Sequence, residues 1–311
     1  MNDGGQDLPR SVALAWGVAS NPQRGPKREL NIERIVETAC EIADEGGLGA
    51  VSMNAIASRL GFTTMSLYRY VAAKDDLTVL MGEYAMGVPP ADEREDAGWR
   101  ERFRHMATLL QKMYREHPWL IDLPITGVPM TPNNLAWMDA GIGCLDGTPL
   151  DQHERVALML ALNGLVRWQM LIYRGYELES ERLGTTPEAL DLRADELIAG
   201  LVTEDRFPYL VHAVRAGVFS PEGADPFAFS LERLLDGIEH YIDGEAAGRP
   251  ATRVISSLEG SDEILRDKAV REAAKLRKEA EARLREAKRK ERDAILKAKE
   301  RAAKAAEKAG R

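Results

Sequence analysis

Between Asn31 and Val71 three short helical patterns follow one another with only glycine turns between them, and that spacing leaves few ways to fold. Ile32, Ile35, Val36, Ala39, Ile42 and Ala43 recur at three- and four-residue steps, which predicts a helix with one buried stripe. Asn31 is placed to cap its start, and Gly46 and Gly47 to end it. Ser52 predicts the cap of a second helix whose Met53, Ile56, Ala57 and Leu60 face inward. Gly61 then offers the left-handed backbone of a sharp turn, and only Phe62 and Thr63 precede a third helix. The arrangement is a helix-turn-helix.

In the third helix Leu67 and Val71 lie one turn apart and pack inward, which leaves Thr64, Met65, Ser66, Arg69 and Tyr70 at or near the opposite face. A helix fits the DNA major groove with its N-terminal residues against base edges, so this face suits recognition, with Ser52, Thr63 and Tyr68 beside it. Lys74, before Asp75, Asp76 and Leu77 open a fourth helix, is placed to meet a phosphate. Many all-α proteins contain a glycine turn between two short helices, so the pattern alone leaves a purely structural role open.

The run Leu67-Tyr68-Arg69-Tyr70-Val71, followed by Lys74, Asp75, Asp76 and Leu77, resembles the DNA-binding domain of the tetracycline-repressor (TetR) family of transcriptional regulators. The resemblance spans residues 12 to 84. Trp16 and Gly17, followed by Arg24, Gly25, Pro26 and Lys27, are similar to the leader of the subgroup with a tetracycline-repressor-type C-terminal domain. Beyond that region the likeness rests on helical layout and on short pieces such as His117, Pro118, Trp119 and Leu120. The resemblance implies a homodimer on palindromic double-stranded operator DNA, released by a small hydrophobic effector held in the C-terminal domain, and repression by family habit.

The net charge of −8 looks unsuited to nucleic acid until it is divided along the chain. Residues 262 to 311 hold 18 Lys and Arg against 11 Asp and Glu, a balance of +7, so the first 261 residues carry −15. Glu33, Glu37, Glu41, Asp44 and Glu45 of the first helix can face solvent away from the groove, so the acidic total does not exclude a basic DNA face. No apolar run approaches the length needed to span a bilayer and the N-terminus lacks a secretory pattern, so the expectation is a cytoplasmic protein without a membrane partner. Cys40 and Cys144 are read as two reduced thiols.

The expected fold class is all-α, in five parts. Residues 1–29 form a flexible basic arm in which Arg24, Lys27 and Arg28 are placed to reach phosphates or a minor groove. Residues 30–88 form the three-helix helix-turn-helix domain with its following helix, ending at Val88, Pro89 and Pro90. A helical ligand-binding and dimerisation domain occupies 95–245, with predicted helices over 99–116, 133–145, 150–176, 187–203, 207–216 and 226–242. The resemblance makes 150–176 and 226–242 the pair that forms a four-helix bundle with a second subunit. Residues 246–261 read as a linker, and 262–311 as a long charged helix whose Leu and Ala stripe recurs with an eleven-residue period. At 1.5 Å per residue that helix is about 75 Å long. It supports a second reading, a DNA-coating or partner-binding architectural protein.

The resemblance implies an effector pocket, for which Trp119, Trp137, Met138, Met159, Asn163, Arg167, Trp168, Met170 and Tyr173 are the candidates. Aromatic and Met side chains with a few polar groups suit an adaptable apolar pocket, although each also suits an ordinary core. Asn163 and Arg167 lie four apart on a strongly apolar helix and need partners there, either a ligand or acids of a second subunit. His105, His117, His153 and His212 lack ligand spacing, so no metal or other cofactor is expected. No nucleophile motif or catalytic acid pair is recognisable, so no enzymatic activity is expected.

Overall fold

The computed structural model describes residues 8–17, 30–91, 94, 96–125, 130–218 and 225–244, with scattered positions of 267–294. It divides into two units, residues 1–251 and 252–311. The described residues of the first unit contain helices and turns and no strand. In chain order the helices are α1 (Arg10–Ala15), α2 (Ile32–Gly46), α3 (Met53–Leu60), α4 (Thr64–Tyr68) and α5 (Lys74–Met86). They are followed by α6 (Trp99–Glu116), α7 (Pro132–Gly143), α8 (Gln152–Leu183), α9 (Pro187–Leu201), α10 (Leu210–Arg215) and α11 (Pro226–Asp243), with a 3-10 turn at Pro118–Asp122.

The caps read from the sequence carry the helix starts. Asn31 accepts from the Arg34 N–H at 2.8 Å and Ser52 from that of Ala55 at 3.1 Å; Thr63, not anticipated as a cap, accepts from that of Ser66 at 3.3 Å. Gly61 closes α3 in the left-handed region at φ 75°. Ile35, Ile56, Leu67 and Val71 are fully buried, and each such side chain stabilises the small domain by about 1.5–3 kcal/mol. Residues 10–15, expected as part of a flexible arm, instead form α1, packed on α5 with Ser11 and Val12 buried. Arg24, Lys27, Arg28 and the 246–261 linker lie outside the described residues.

The longest helix, α8, starts at a capping box in which Asp151 accepts from the Glu154 N–H and Glu154 from the Asp151 N–H, both at 2.8 Å. It runs past Tyr176, where the apolar pattern stops, because Glu177 to Leu183 are good helix formers and Gly184 ends it at φ 62°. By length and composition alone α8 is apolar enough to cross a bilayer, against the sequence expectation. Here it packs along α6, α7, α9 and α11. Where α7 crosses it, a Cβ on Gly141 would lie 2.1 Å from the Met159 sulfur, so the two helices approach through a glycine.

An ion-pair network ties α6 to α11. The Arg100 guanidinium donates to Glu232 at 2.8 Å, Asp236 at 2.6 Å and Glu239 at 2.8 Å, and Arg104 to Glu232 at 2.7 Å. Hydrogen bonds from Arg104 and then Arg100 hold the Glu232 carboxyl down at about 2, from an ordinary value of 4.5. A carboxylate whose folded value is depressed stabilises the fold above its unfolded value, and that contribution fades as pH falls from 4.5 towards 2. Wild type and Glu232→Gln are therefore expected to converge in denaturation midpoint as pH is lowered through this window. A gap that stays constant with pH would contradict the assignment.

In the second unit every described position from 268 to 294 is helical and exposed. Glu286 and Lys290, one turn apart, lie 2.8 Å apart. The remainder of the expected 262–311 helix lies outside the described residues.

Candidate nucleic-acid interface and effector cavity

The recognition face is built on a short helix held from beneath. In α4, Leu67 is fully buried while Met65 is 73% exposed, and Tyr68 and Arg69 are exposed beside it. Thr64, Ser66 and Tyr70 are half-buried. Thr63 and Ser66 share a hydroxyl contact of 2.9 Å at the N-terminal end of α4, where Thr63 also caps the helix. Arg69 follows the last helical residue and Tyr70 lies in the turn after it, a shorter helix than the sequence suggested. Exposed Lys74 opens α5, and exposed Ser52 opens α3. Arg59, which has the look of a phosphate contact, is instead paired to Glu45 at 2.5 Å and pins α3 to the end of α2.

A junction joins this domain to the following one, and it uses residues proposed from the sequence for a pocket. The Trp119 side chain is fully buried, and its Nε1 donates to Asp44 Oδ1 of α2 at 2.6 Å. His117 Nδ1 donates to the same oxygen at 2.9 Å. Trp137, also buried, donates to the carbonyls of Met86 at 3.2 Å and Gly87 at 3.1 Å, two acceptors left over by the end of α5. Arg167 finds its partners within the chain: it donates to the carbonyls of Ile121 and Leu123, both at 2.7 Å, holding the 3-10 turn against α8.

Behind that turn lies a cavity of about 830 Å³. Its walls are Tyr114 and Arg115 from α6, Pro118 and Ile121 from the 3-10 turn, and Met170, Ile172, Tyr173, Arg174, Tyr176 and Glu177 from α8. Pro187, Asp191, Ala194 and Ile198 of α9 close one side, with Val218, Asp225 and Pro226. Of the nine sequence candidates the structure places Met170 and Tyr173 on this wall. Met138 and Met159 belong to the packed α7 and α8 core, and Trp168 is 62% exposed on the outer face of α8. Asn163 is half-buried, and its Oδ1 has no partner among the described residues. Burial raises the Tyr114 hydroxyl above its ordinary value, opposed by the Arg167 charge and hydrogen bond.

Arg174 connects the cavity wall with the DNA-binding domain. Its guanidinium donates to Asp122 at 3.1 Å, and a Cβ on Gly47, in the turn after α2, would lie 3.6 Å from it. Sequence reasoning missed this residue although a signal was present: Met170, Tyr173, Arg174 and Glu177 fall at three- and four-residue steps along one face of α8. Asp44 and His117 carried no comparable signal.

Residues 35–79 match the family model described as bacterial regulatory proteins, tetR family, and residues 90–242 that of the tetracyclin repressor-like C-terminal domain. The HTH-type transcriptional repressor DrrR1 of Streptomyces coeruleorubidus is 33% identical over 246 residues, 77% of this chain and 88% of that protein. A Mycobacterium tuberculosis HTH-type transcriptional repressor is 26% identical over 241 residues, 74% of this chain and 89% of its own. Among solved structures, Streptomyces coelicolor ActR in complex with actinorhodin is 27% identical with a TM-score of 0.57, covering 72% of this chain and all of ActR. With its two family domains, the exposed face of α4 and the helical second domain joined at Asp44, the chain belongs to the TetR family of bacterial transcriptional regulators.

Proposed function

We propose that the protein is a cytoplasmic repressor that binds a two-fold operator as a homodimer and leaves it when a small hydrophobic molecule fills the cavity of about 830 Å³. The observation that carries this reading is that one 3-10 turn, Pro118–Asp122, both lines the cavity and holds Asp44 of α2 through Trp119. A molecule that displaces Pro118 or Ile121 therefore shifts the recognition helix relative to the second domain. The named relatives support it: two are transcriptional repressors, and ActR was solved with a small molecule bound.

The dimer surface in this reading is the outer face of α8 and α11. Leu160, Trp168 and Leu171 are exposed along α8, and Phe229 on α11. Nothing lies within 4 Å of a Cβ built on Gly164, Gly175 or Gly237, so a second copy can approach these helices closely. Cavity contacts fall to Tyr114, Met170, Tyr173 and Arg174, and the polar contacts for DNA to Thr64, Ser66, Arg69 and Lys74.

Arg69→Ala is expected to relax preference at one or two base pairs at a cost of about 1–3 kcal/mol, and Lys74→Ala to weaken all sites alike. Competition among single-base operator variants separates the two effects. For the effector half, hydrophobic compounds that raise the melting temperature are titrated calorimetrically with and without operator. Coupled binding requires the affinity to fall by the same factor by which the compound weakens DNA binding. Equal affinity in both titrations overturns the release mechanism. Truncation after Gly260 reports on the basic C-terminal segment: a shallower dependence of log affinity on log salt is expected if its Lys and Arg neutralise phosphates.

A further inference from the structure

We infer that α1 is a clasp that sets the angle of α5 against α7, with Trp16 as its positioning residue. α5 follows the helix-turn-helix directly and packs on α2, so its tilt carries the recognition helix with it. One flank of α5 is held by the start of α7: the Asn133 N–H donates to Glu83 Oε1 at 2.8 Å, and the Asn133 amide to the Glu83 carbonyl at 2.9 Å. α1 packs along α5, with Val12 buried and Leu14 and Ala15 against the core, and then turns at Gly17, φ 66°. At that turn Trp16 reaches across, and its Nε1 donates to the Met130 carbonyl at 2.7 Å, immediately before the residue that caps α7.

The chain thus lays α1 on α5 and, with the residue that follows the helix, reaches the start of α7. Trp16 is 47% exposed, so core filling does not account for a large aromatic there, whereas spanning the gap to Met130 does. A rotation of α5 against α7 must stretch this bond or pull α1 away from α5. The clasp adds to the proposed regulatory role and does not depend on it, because the angle it sets can be read without DNA or effector.

The test uses the full-length protein spin-labelled at Ser58→Cys on α3 and Lys112→Cys on α6, both exposed, while Cys40 and Cys144 are buried. Labelled chains are diluted into unlabelled protein so that pulsed dipolar spectroscopy reads only the distance within one chain. Trp16→Phe, which removes the donor and keeps an aromatic ring, is expected to broaden the distribution and move its mean by about 1–2 Å or more. Val12→Asp, which frees α1 by placing a charge in its seat, is expected to reproduce that change. A Trp16→Phe distribution identical to wild type, with or without a lower melting temperature, overturns the assignment and leaves α1 as a cover for α5.

Discussion

Trp119→Ala is expected to lower stability by about 3–5 kcal/mol, among the largest effects of any single change in this chain. The side chain is fully buried where the DNA-binding domain meets the cavity domain, and its removal opens a void and leaves Asp44 with His117 alone. Trp119→Phe separates packing from polarity, since it keeps most of the volume but removes the indole donor. Its expected cost is about 0.5–1.5 kcal/mol, with operator affinity retained and the response to effector weakened. Chemical denaturation and operator titrations of both variants check this. A Trp119→Phe protein that responds to effector like wild type would place the coupling elsewhere.

Leu67→Ala is expected to cost about 2–5 kcal/mol and to remove operator binding even where the rest of the fold persists. α4 contains five residues, far below the length at which a helix holds itself in water, so its shape depends on Leu67 being seated against α2 and α3. Met65→Ala, at a position 73% exposed, is expected to change stability by no more than about 0.5 kcal/mol. Circular dichroism with operator titration separates local loss from global unfolding. A Leu67→Ala protein that binds operator at full affinity would show that α4 is held by other means.

The helices were legible because their ends carry their own chemistry. Asn31, Ser52 and Asp151 act as caps, Pro132, Pro187 and Pro226 take first helical positions, and each start fell within about two residues of its expected place. α1 was not legible, because the six residues Arg10–Ala15 are too few to display a period. Apolar and aromatic content marks an interior without saying which one. Trp119 and Trp137, expected at the effector pocket, instead fill the junction with α2 and α5. Arg167 was recognised as needing a partner, but its partners are carbonyls of a turn some forty residues earlier, which only the tertiary fold brings near. The cavity itself depends on α9 closing over α8, and α9 buries no side chain fully, so its amphipathic pattern was too weak to announce a contact.

The recognition face is expected to read sequence on a two-fold operator. This is tested most directly by selecting bound fragments from random double-stranded DNA with the full-length protein at physiological salt. The account predicts a palindromic motif whose half-sites are centred about 34–36 Å apart or a multiple of that, and whose inner positions change when Arg69 or Thr64 is replaced by Ala. Recovery of fragments with no shared motif, bound equally and equally weakened by salt, would contradict it.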